Sequence, residues 1–182
     1  MIFMIRDIEE KDISKVCKII NDNWKSVYAG YVNDELLSDE GCMKRSERLR
    51  RDLLSHRLFN YVYEDNGQVV GILSIGDTAD EDKKGAFELW RIYLSKSSQS
   101  RGIGSELIQF AEKQAEAKGY KEIVIWAFKD NKHAISFYKK HGYIIDKEEY
   151  LGEPYEAYGV RLIKNVGWFY DEIQSKLDQK SS

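Results

Sequence analysis

Leu89-Trp90-Arg91-Ile92-Tyr93-Leu94, a short polar link, and then Gln99-Ser100-Arg101-Gly102-Ile103-Gly104-Ser105 form the stretch whose reading decides the fold. An apolar run, a turn with two glycines and an amphipathic repeat read as strand, turn and helix, the helix starting inside the turn. Ile103, Leu107, Ile108, Phe110, Ala111 and Ala115 fall on one side of a helix predicted over Gly102 to Lys118, and Gly119 is placed to end it. The first backbone N–H groups of such a helix have no intrahelical acceptor. They point together at whatever lies there, and the helix dipole adds partial positive charge. Glycines let the main chain approach an anion closely, and Arg101 adds a full charge. The stretch is a candidate diphosphate cradle; a purely structural tight turn is the competing reading.

Two well-known nucleotide loops fail on the same residues. The dinucleotide fingerprint needs a third glycine where Leu107 stands, and a P-loop needs Gly-Lys-Ser/Thr where Gly104 is followed by Ser105-Glu106.

Working outward, Phe3 to Ile8 reads as a strand, and Ile13, Val16, Cys17, Ile20 and Trp24 repeat at helical spacing. A helix-prone stretch from Met43 to Leu54 carries Lys44, Arg45, Arg48, Arg50 and Arg51, expected as a solvated face. Phe59 to Tyr63 and Gln68 to Ile75 flank Asp65-Asn66-Gly67 and read as a hairpin, with a further strand over Ala86 to Leu94. Glu122 to Phe128 is apolar almost throughout, as expected of a strand covered on both faces. A short helix over His133 to Lys140 and strands over Tyr143 to Tyr150 and Tyr155 to Lys164 follow. The order is mixed α/β, with one domain over 1–165. From Val166, residues Trp168, Phe169, Ile173 and Leu177 suggest an amphipathic helix and polar tail over 166–182.

The composition fits one domain: 182 residues, 42% hydrophobic. With a formal net charge of -3, no overall basic field exists to hold nucleic acid or an anionic membrane. Cys17 and Cys42, the only cysteines, build neither a disulfide framework nor a cysteine-rich zinc site, so a reducing, cytoplasmic setting is expected. No run of about 18 apolar residues suggests a membrane span. His133 and His141 lack metal-ligand spacing, no metal is expected, and His141 is placed to bond a carbonyl at a helix C-terminus.

About 30 residues after the cradle comes Asn131-Lys132-His133-Ala134-Ile135-Ser136-Phe137-Tyr138-Lys139-Lys140-His141-Gly142-Tyr143. The pair Q-x-x-G-x-G after a strand, then N-x-x-A-x-x-F-Y-x-x-x-G-Y, resembles the GNAT superfamily of N-acetyltransferases, and the order of elements resembles that family's over most of the chain. One departure is Lys96, where the family often has proline.

The resemblance implies a central twisted mixed sheet of about seven strands, splayed at an acyl-CoA cleft between two parallel strands and flanked by helices. It implies acetyl-CoA as donor. The pantetheine arm maps to the backbone of Ile92, Tyr93 and Leu94, and the pyrophosphate to Gln99, Ser100, Arg101, Gly102, Ile103, Gly104 and Ser105. Asn131 faces the pantetheine in this scheme, with Phe137 and Lys140 along the coenzyme.

Tyr138 resembles the family's general acid, since a phenol with an ordinary pKa near ~10 can protonate a leaving thiolate. Glu88 is the candidate base, expected by simple alternation to share a strand face with Trp90 and Ile92; a water relay is the alternative. Trp24, Tyr28 and Tyr31 fall on the acceptor side and Tyr150, Glu153 and Tyr155 on the opposite wall, suggesting an aromatic, acidic pocket for an amine. The expected reaction is acetyl transfer to a small-molecule or peptide amine. A non-catalytic acyl-CoA-binding module and a dimerisation domain built on Trp168 and Phe169 are the alternatives.

Overall fold

The structure, a computed structural model, describes residues 3–167. In chain order it holds β1 (Phe3–Asp7), α1 (Ile13–Val27), α2 (Asp39–Leu54), β2 (Phe59–Asp65), β3 (Gln68–Asp77) and β4 (Phe87–Leu94). Then follow α3 (Ile103–Ala117), β5 (Glu122–Phe128), α4 (Lys132–Lys140), β6 (Ile144–Tyr150) and β7 (Tyr158–Asn165). The seven strands form one mixed sheet in the order β1-β2-β3-β4-β5-β7-β6, in which only β4 and β5 are parallel.

Strand alternation sorts the core into two layers. Val62 and Ile72 face Ile13, Val16, Ile20 and Leu53 of α1 and α2. Their chain neighbours Tyr63 and Leu73 face Leu107, Ile108, Ala111 and Ile135 of α3 and α4. A fully buried Leu or Ile here contributes roughly 1.5–3 kcal/mol by leaving water, so each helix is held by its apolar stripe. β5 sits centrally, and Ile123, Val124 and Ile125 are buried on both of its faces, as the apolar run required.

The hairpin turn is as the sequence predicts: Asn66 and Gly67 both take positive φ, 49° and 76°. α2 starts at Asp39, ahead of the predicted Met43, because the Ser38 hydroxyl caps it, accepting from the Gly41 N–H at 3.0 Å. β7 begins at Tyr158, which leaves Tyr155 in the loop before it, where its carbonyl accepts from the Asn33 N–H at 3.0 Å. Trp168, Phe169, Ile173 and Leu177 of the expected C-terminal helix lie outside the described residues.

The decisive feature is how β4 leaves β5. The two pair over three positions only, Phe87 with Ile123, Glu88 with Val124 and Leu89 with Ile125. β3 stays on β4 as far as Leu94, and β7 stays on β5 as far as Phe128. Past Leu89 and Ile125 the parallel strands therefore part, and the β5-facing edge of β4 has no strand partner. A β-bulge lies at that point: the register against β3 passes from Leu89 directly to Arg91, leaving Trp90 extra. Bulges bend a strand and add twist, which is what opens a sheet between two strands held on their outer sides.

Candidate active site

The cradle sits where β4 hands over to α3. Ser100 and Gly102 take positive φ, 61° and 86°, and Gly102 is the N-cap of α3. The N–H groups of Ser105 and Glu106 return to the Gly102 carbonyl at 2.9 and 3.2 Å. Those of Ser100 through Gly104 have no acceptor among the described residues. Successive unpaired donors at a helix start form an anion site. The two glycines have different reasons. Gly102 needs its left-handed φ, whereas a Cβ on Gly104 would come within 3.1 Å of the Phe137 ring.

Side chains brace this loop. The Gln99 amide donates to Asn23 Oδ1 and to the Leu94 carbonyl, both at 3.3 Å, tying the loop to α1 and to the end of β4. Arg101 is paired with Asp65 at 2.9 Å, so much of its charge is answered within the protein. His141 does bond a carbonyl at the end of α4: its Nδ1 lies 2.9 Å from the Phe137 oxygen, while its Nε2 lies 3.0 Å from Ser105 Oγ.

Between the parted strands lies a small cleft lined by Leu89 to Tyr93, Trp126, Ala127, Tyr28, Asn131, Ala134 and Tyr138. Asn131 caps α4, its Oδ1 accepting from the Ala134 N–H at 3.1 Å. Tyr138 is buried, and burial, with a smaller push from Tyr93, holds its phenol well above the ordinary tyrosine range. It keeps its proton at neutral pH. Tyr28 is raised for the same reason, and its hydroxyl lies 3.4 Å from that of Tyr93. Lys140 is exposed on the last turn of α4.

Glu88 is buried beneath the segment after β3, its carboxylate accepting from the Thr78 hydroxyl at 2.8 Å. Loss of solvent pushes its pKa up from 4.5 to about 7; Thr78 opposes this and Asp80 adds to it. Glu88 does not share a face with Ile92, contrary to the alternation argument. The extra residue at Trp90 flips the pattern: Phe87, Leu89, Ile92 and Leu94 pack towards α3, while Tyr93 packs on the α1 side. Leu89 and Trp90, next to Glu88 in the chain, line the cleft.

Trp24, Tyr28, Tyr31 and Tyr155, expected near an acceptor, stand in one aromatic cluster that also takes in Phe128 from the end of β5. Ring centroids lie at 5.0 Å for Trp24 and Tyr28, 5.0 Å for Tyr28 and Phe128, 5.7 Å for Phe128 and Tyr155 and 6.4 Å for Tyr28 and Tyr31. The wall is not acidic as expected. Glu153 is exposed, Tyr150 pairs with Tyr158 on the outer strands, and the charge beside Trp24 is Arg45, whose guanidinium lies 3.9 Å from the indole centroid. Arg45 donates to Asn21 Oδ1 at 2.7 Å and to the Leu36 carbonyl, and burial lowers its pKa. Lys44, Arg48, Arg50 and Arg51 are exposed as expected; nothing in the local sequence separates Arg45 from them.

Residues 18–143 match the model of the acetyltransferase (GNAT) family. The chain belongs to that family. Spermidine N(1)-acetyltransferase of Thermoplasma acidophilum is 25% identical over 151 residues, 78% of this chain and 88% of that protein. Two solved structures share this GNAT fold. The PaiA N-acetyltransferase of Thermoplasma acidophilum, in complex with coenzyme A, has a TM-score of 0.68 at 21% identity, over 88% of this chain and 98% of that one. A Salmonella typhimurium protein, solved with its cofactor acetyl-CoA, has a TM-score of 0.66 at 19% identity, over 92% and 95%. As a GNAT member this chain is an acyltransferase. Among the described residues, no helix is long and apolar enough to cross a membrane, and no three His, Cys, Asp or Glu side chains group as a metal site.

Proposed function

We propose that this GNAT enzyme transfers the acetyl group of acetyl-CoA to a primary amine by direct attack in a ternary complex. One observation carries the reading: a cradle of unpaired N–H groups continues into an unpaired strand edge, and that cleft is lined by a buried, protonated tyrosine.

The residues fit the coenzyme. Ser100 through Gly104 offer backbone donors to a diphosphate with no competing acceptor, and Ser105 lies beside them. The open edge of β4 at Ile92, Tyr93 and Leu94 can take the pantetheine amides as an added strand, with Asn131 lining the same cleft, and in this reading the coenzyme would run on past Phe137 and Lys140 of α4. Acetyl-CoA supplies an acyl carbon activated as a thioester and open to a neutral amine. The Ile92 N–H, on the open strand, is our candidate to polarise the acyl oxygen. Tyr138 holds the proton that the departing sulfur requires. Glu88, near half-ionised at pH 7, takes the proton that the amine must lose, directly or through water.

The aromatic wall of Trp24, Tyr28, Tyr31 and Tyr155 would seat the acceptor. Arg45 beside it weighs against a polycation there and favours an amine that also carries an anionic group. The free thiols Cys17 and Cys42 fit a reducing, cytoplasmic setting. Free-thiol release from acetyl-CoA across a panel of polyamines, amino acids, aminoglycosides and peptide amines tests the reading. Turnover with at least one class is expected; binding of acetyl-CoA without turnover on any of them would favour a non-catalytic acyl-CoA-binding module instead.

A further inference from the structure

We propose that Asp80, clamped by Arg161, is a positioning residue for the acetyl transfer: through Thr78 it holds the Glu88 carboxyl in place, and through Trp126 it holds one wall of the cleft. The inference rests on the reading of Glu88 as the base and adds the residues that keep it there.

Strand register brings the parts together. Glu88 of β4 stands opposite Val124 of β5, and Trp126, two residues on, stands opposite Arg161 of β7, so Glu88, Trp126 and Arg161 share one face of the sheet. A bulge in β6 leaves Asp146 extra beside them, and it accepts from Arg161 Nε at 2.7 Å. Arg161 is only 3% exposed, and a charge so buried must be answered. Its guanidinium also meets Asp80 at 2.8 Å and both oxygens of Asp82 at 2.7 and 2.6 Å. Two of the three carboxylates come from the segment between β3 and β4, so that segment is carried across β4 and β5 and fastened to β7.

Asp80 passes this anchorage on. Its Oδ2 accepts from the Trp126 indole N–H at 2.9 Å as well as from Arg161. Its backbone N–H is given to Thr78 Oγ at 3.2 Å. A hydroxyl that accepts there still has its one hydrogen to give, and Thr78 gives it to Glu88 at 2.8 Å. Trp90, from the other parted strand, donates its indole N–H to the Asp77 carbonyl at 3.0 Å. Both tryptophans of the cleft are therefore tied to the one segment that covers Glu88.

The charges around Glu88 give Asp80 and Thr78 opposite effects on it. Burial is the main cause of its pKa of about 7; the Asp80 charge pushes the same way, while the Thr78 hydroxyl, the Ala79 N–H and Arg57 favour the charged form. Gly76 and Val124, opposite Glu88 on β3 and β5, carry no charge. Arg57 stacks on Trp90 at 4.5 Å and is paired with Asp52, which also holds Arg91. Lys83 is paired with Glu122 at 3.0 Å.

Two substitutions separate placement from general loosening. Asp80→Asn keeps an oxygen for the Trp126 indole and leaves Asp82 and Asp146 to answer Arg161, while Thr78→Val removes only the hydroxyl. The Glu88 carboxyl is followed by carbon-13 NMR across pH, assigned with Glu88→Gln, beside pH profiles of kcat/KM. In Asp80→Asn the Glu88 titration and the acid limb should both move down by about one on the pH scale; in Thr78→Val both should move up. At pH 8, kcat of Asp80→Asn should fall by about tenfold to a hundredfold with KM for acetyl-CoA unchanged, and the substitution should cost nothing further in the Glu88→Gln background. Arg161→Gln should lower kcat as Asp80→Asn does, and Arg161→Lys should recover part of it. A Glu88 titration that stays in place in Asp80→Asn, that moves the same way in both variants, or an Asp80→Asn loss that persists in full without Glu88 would overturn the proposal. Parent-like kcat in Glu88→Gln would instead overturn the base reading, and the NMR titration would still decide what holds the carboxyl.

Discussion

Replacing Glu88 with Gln should make the protein more stable at neutral pH and less active. The fold holds the Glu88 carboxyl at about 7 against an ordinary 4.5, a displacement of about 2.5 on the pH scale. At 1.36 kcal/mol for each tenfold change, the charged form is disfavoured by about 3 kcal/mol in the folded state. The sign follows from proton counting. Between pH 4.5 and about 7 the folded state binds more protons at this site than the unfolded chain does, so stability falls as pH rises through that window. Gln cannot ionise and keeps an oxygen for the Thr78 hydroxyl. Relative to the parent, Glu88→Gln should therefore match in acid and gain up to about 3 kcal/mol above neutrality, or very roughly 5–10 °C in Tm. Paired unfolding curves across that pH range read this directly. In kinetics the parent's kcat/KM should fall below an apparent pKa near 7, and the variant should lose both that limb and about 10²–10⁴ of its rate. A stability difference that does not vary with pH would refute the buried-carboxylate argument, and an acid limb that survives in the variant would refute its role as base.

Tyr138→Phe removes a proton donor while preserving the buried ring, so kcat should fall by about 10²–10⁴ with acetyl-CoA affinity retained; equal kcat in steady-state assays would strip Tyr138 of its role. Gly102→Ala must hold a Cβ residue at φ 86°, and denaturant unfolding should show a loss of about 1–2 kcal/mol, with weaker acetyl-CoA binding. Gly104→Val should lose about 1–3 kcal/mol for another reason, overpacking against Phe137; trimming that ring in a Phe137→Leu partner should recover part of the loss, and simple additivity would count against the contact.

The sequence made legible whatever was local. The α3 stripe, the Asn66-Gly67 turn and the apolar β5 each follow from a period or a φ requirement carried by neighbouring residues, and the Asn131 cap and Tyr138 came with a motif of fixed spacing. What stayed hidden depended on partners far along the chain. The bulge at Trp90 exists only against β3, and it both opens the cleft and moves Ile92 off the Glu88 face. Arg45 reads like its basic neighbours until Trp24 and the Leu36 carbonyl are brought to it. Nothing beside Glu88 in the chain shows that it is buried; the Thr78 hydroxyl that bonds its carboxylate comes from the segment after β3. The aromatic wall was legible in Trp24, Tyr28, Tyr31 and Tyr155, yet Phe128 looked like one more apolar residue of its strand.

The central claim is that the Ser100 to Gly104 amides and the open β4 edge hold acetyl-CoA. Backbone amide NMR during titration with acetyl-CoA tests it most directly. The amides of Ser100, Arg101, Gly102, Ile103 and Gly104, with those of Ile92 and Leu94, should move together and saturate with one affinity, while those of β1 and α2 stay in place. Saturating binding that leaves those seven amides unmoved, or no saturable shift anywhere, would contradict the account.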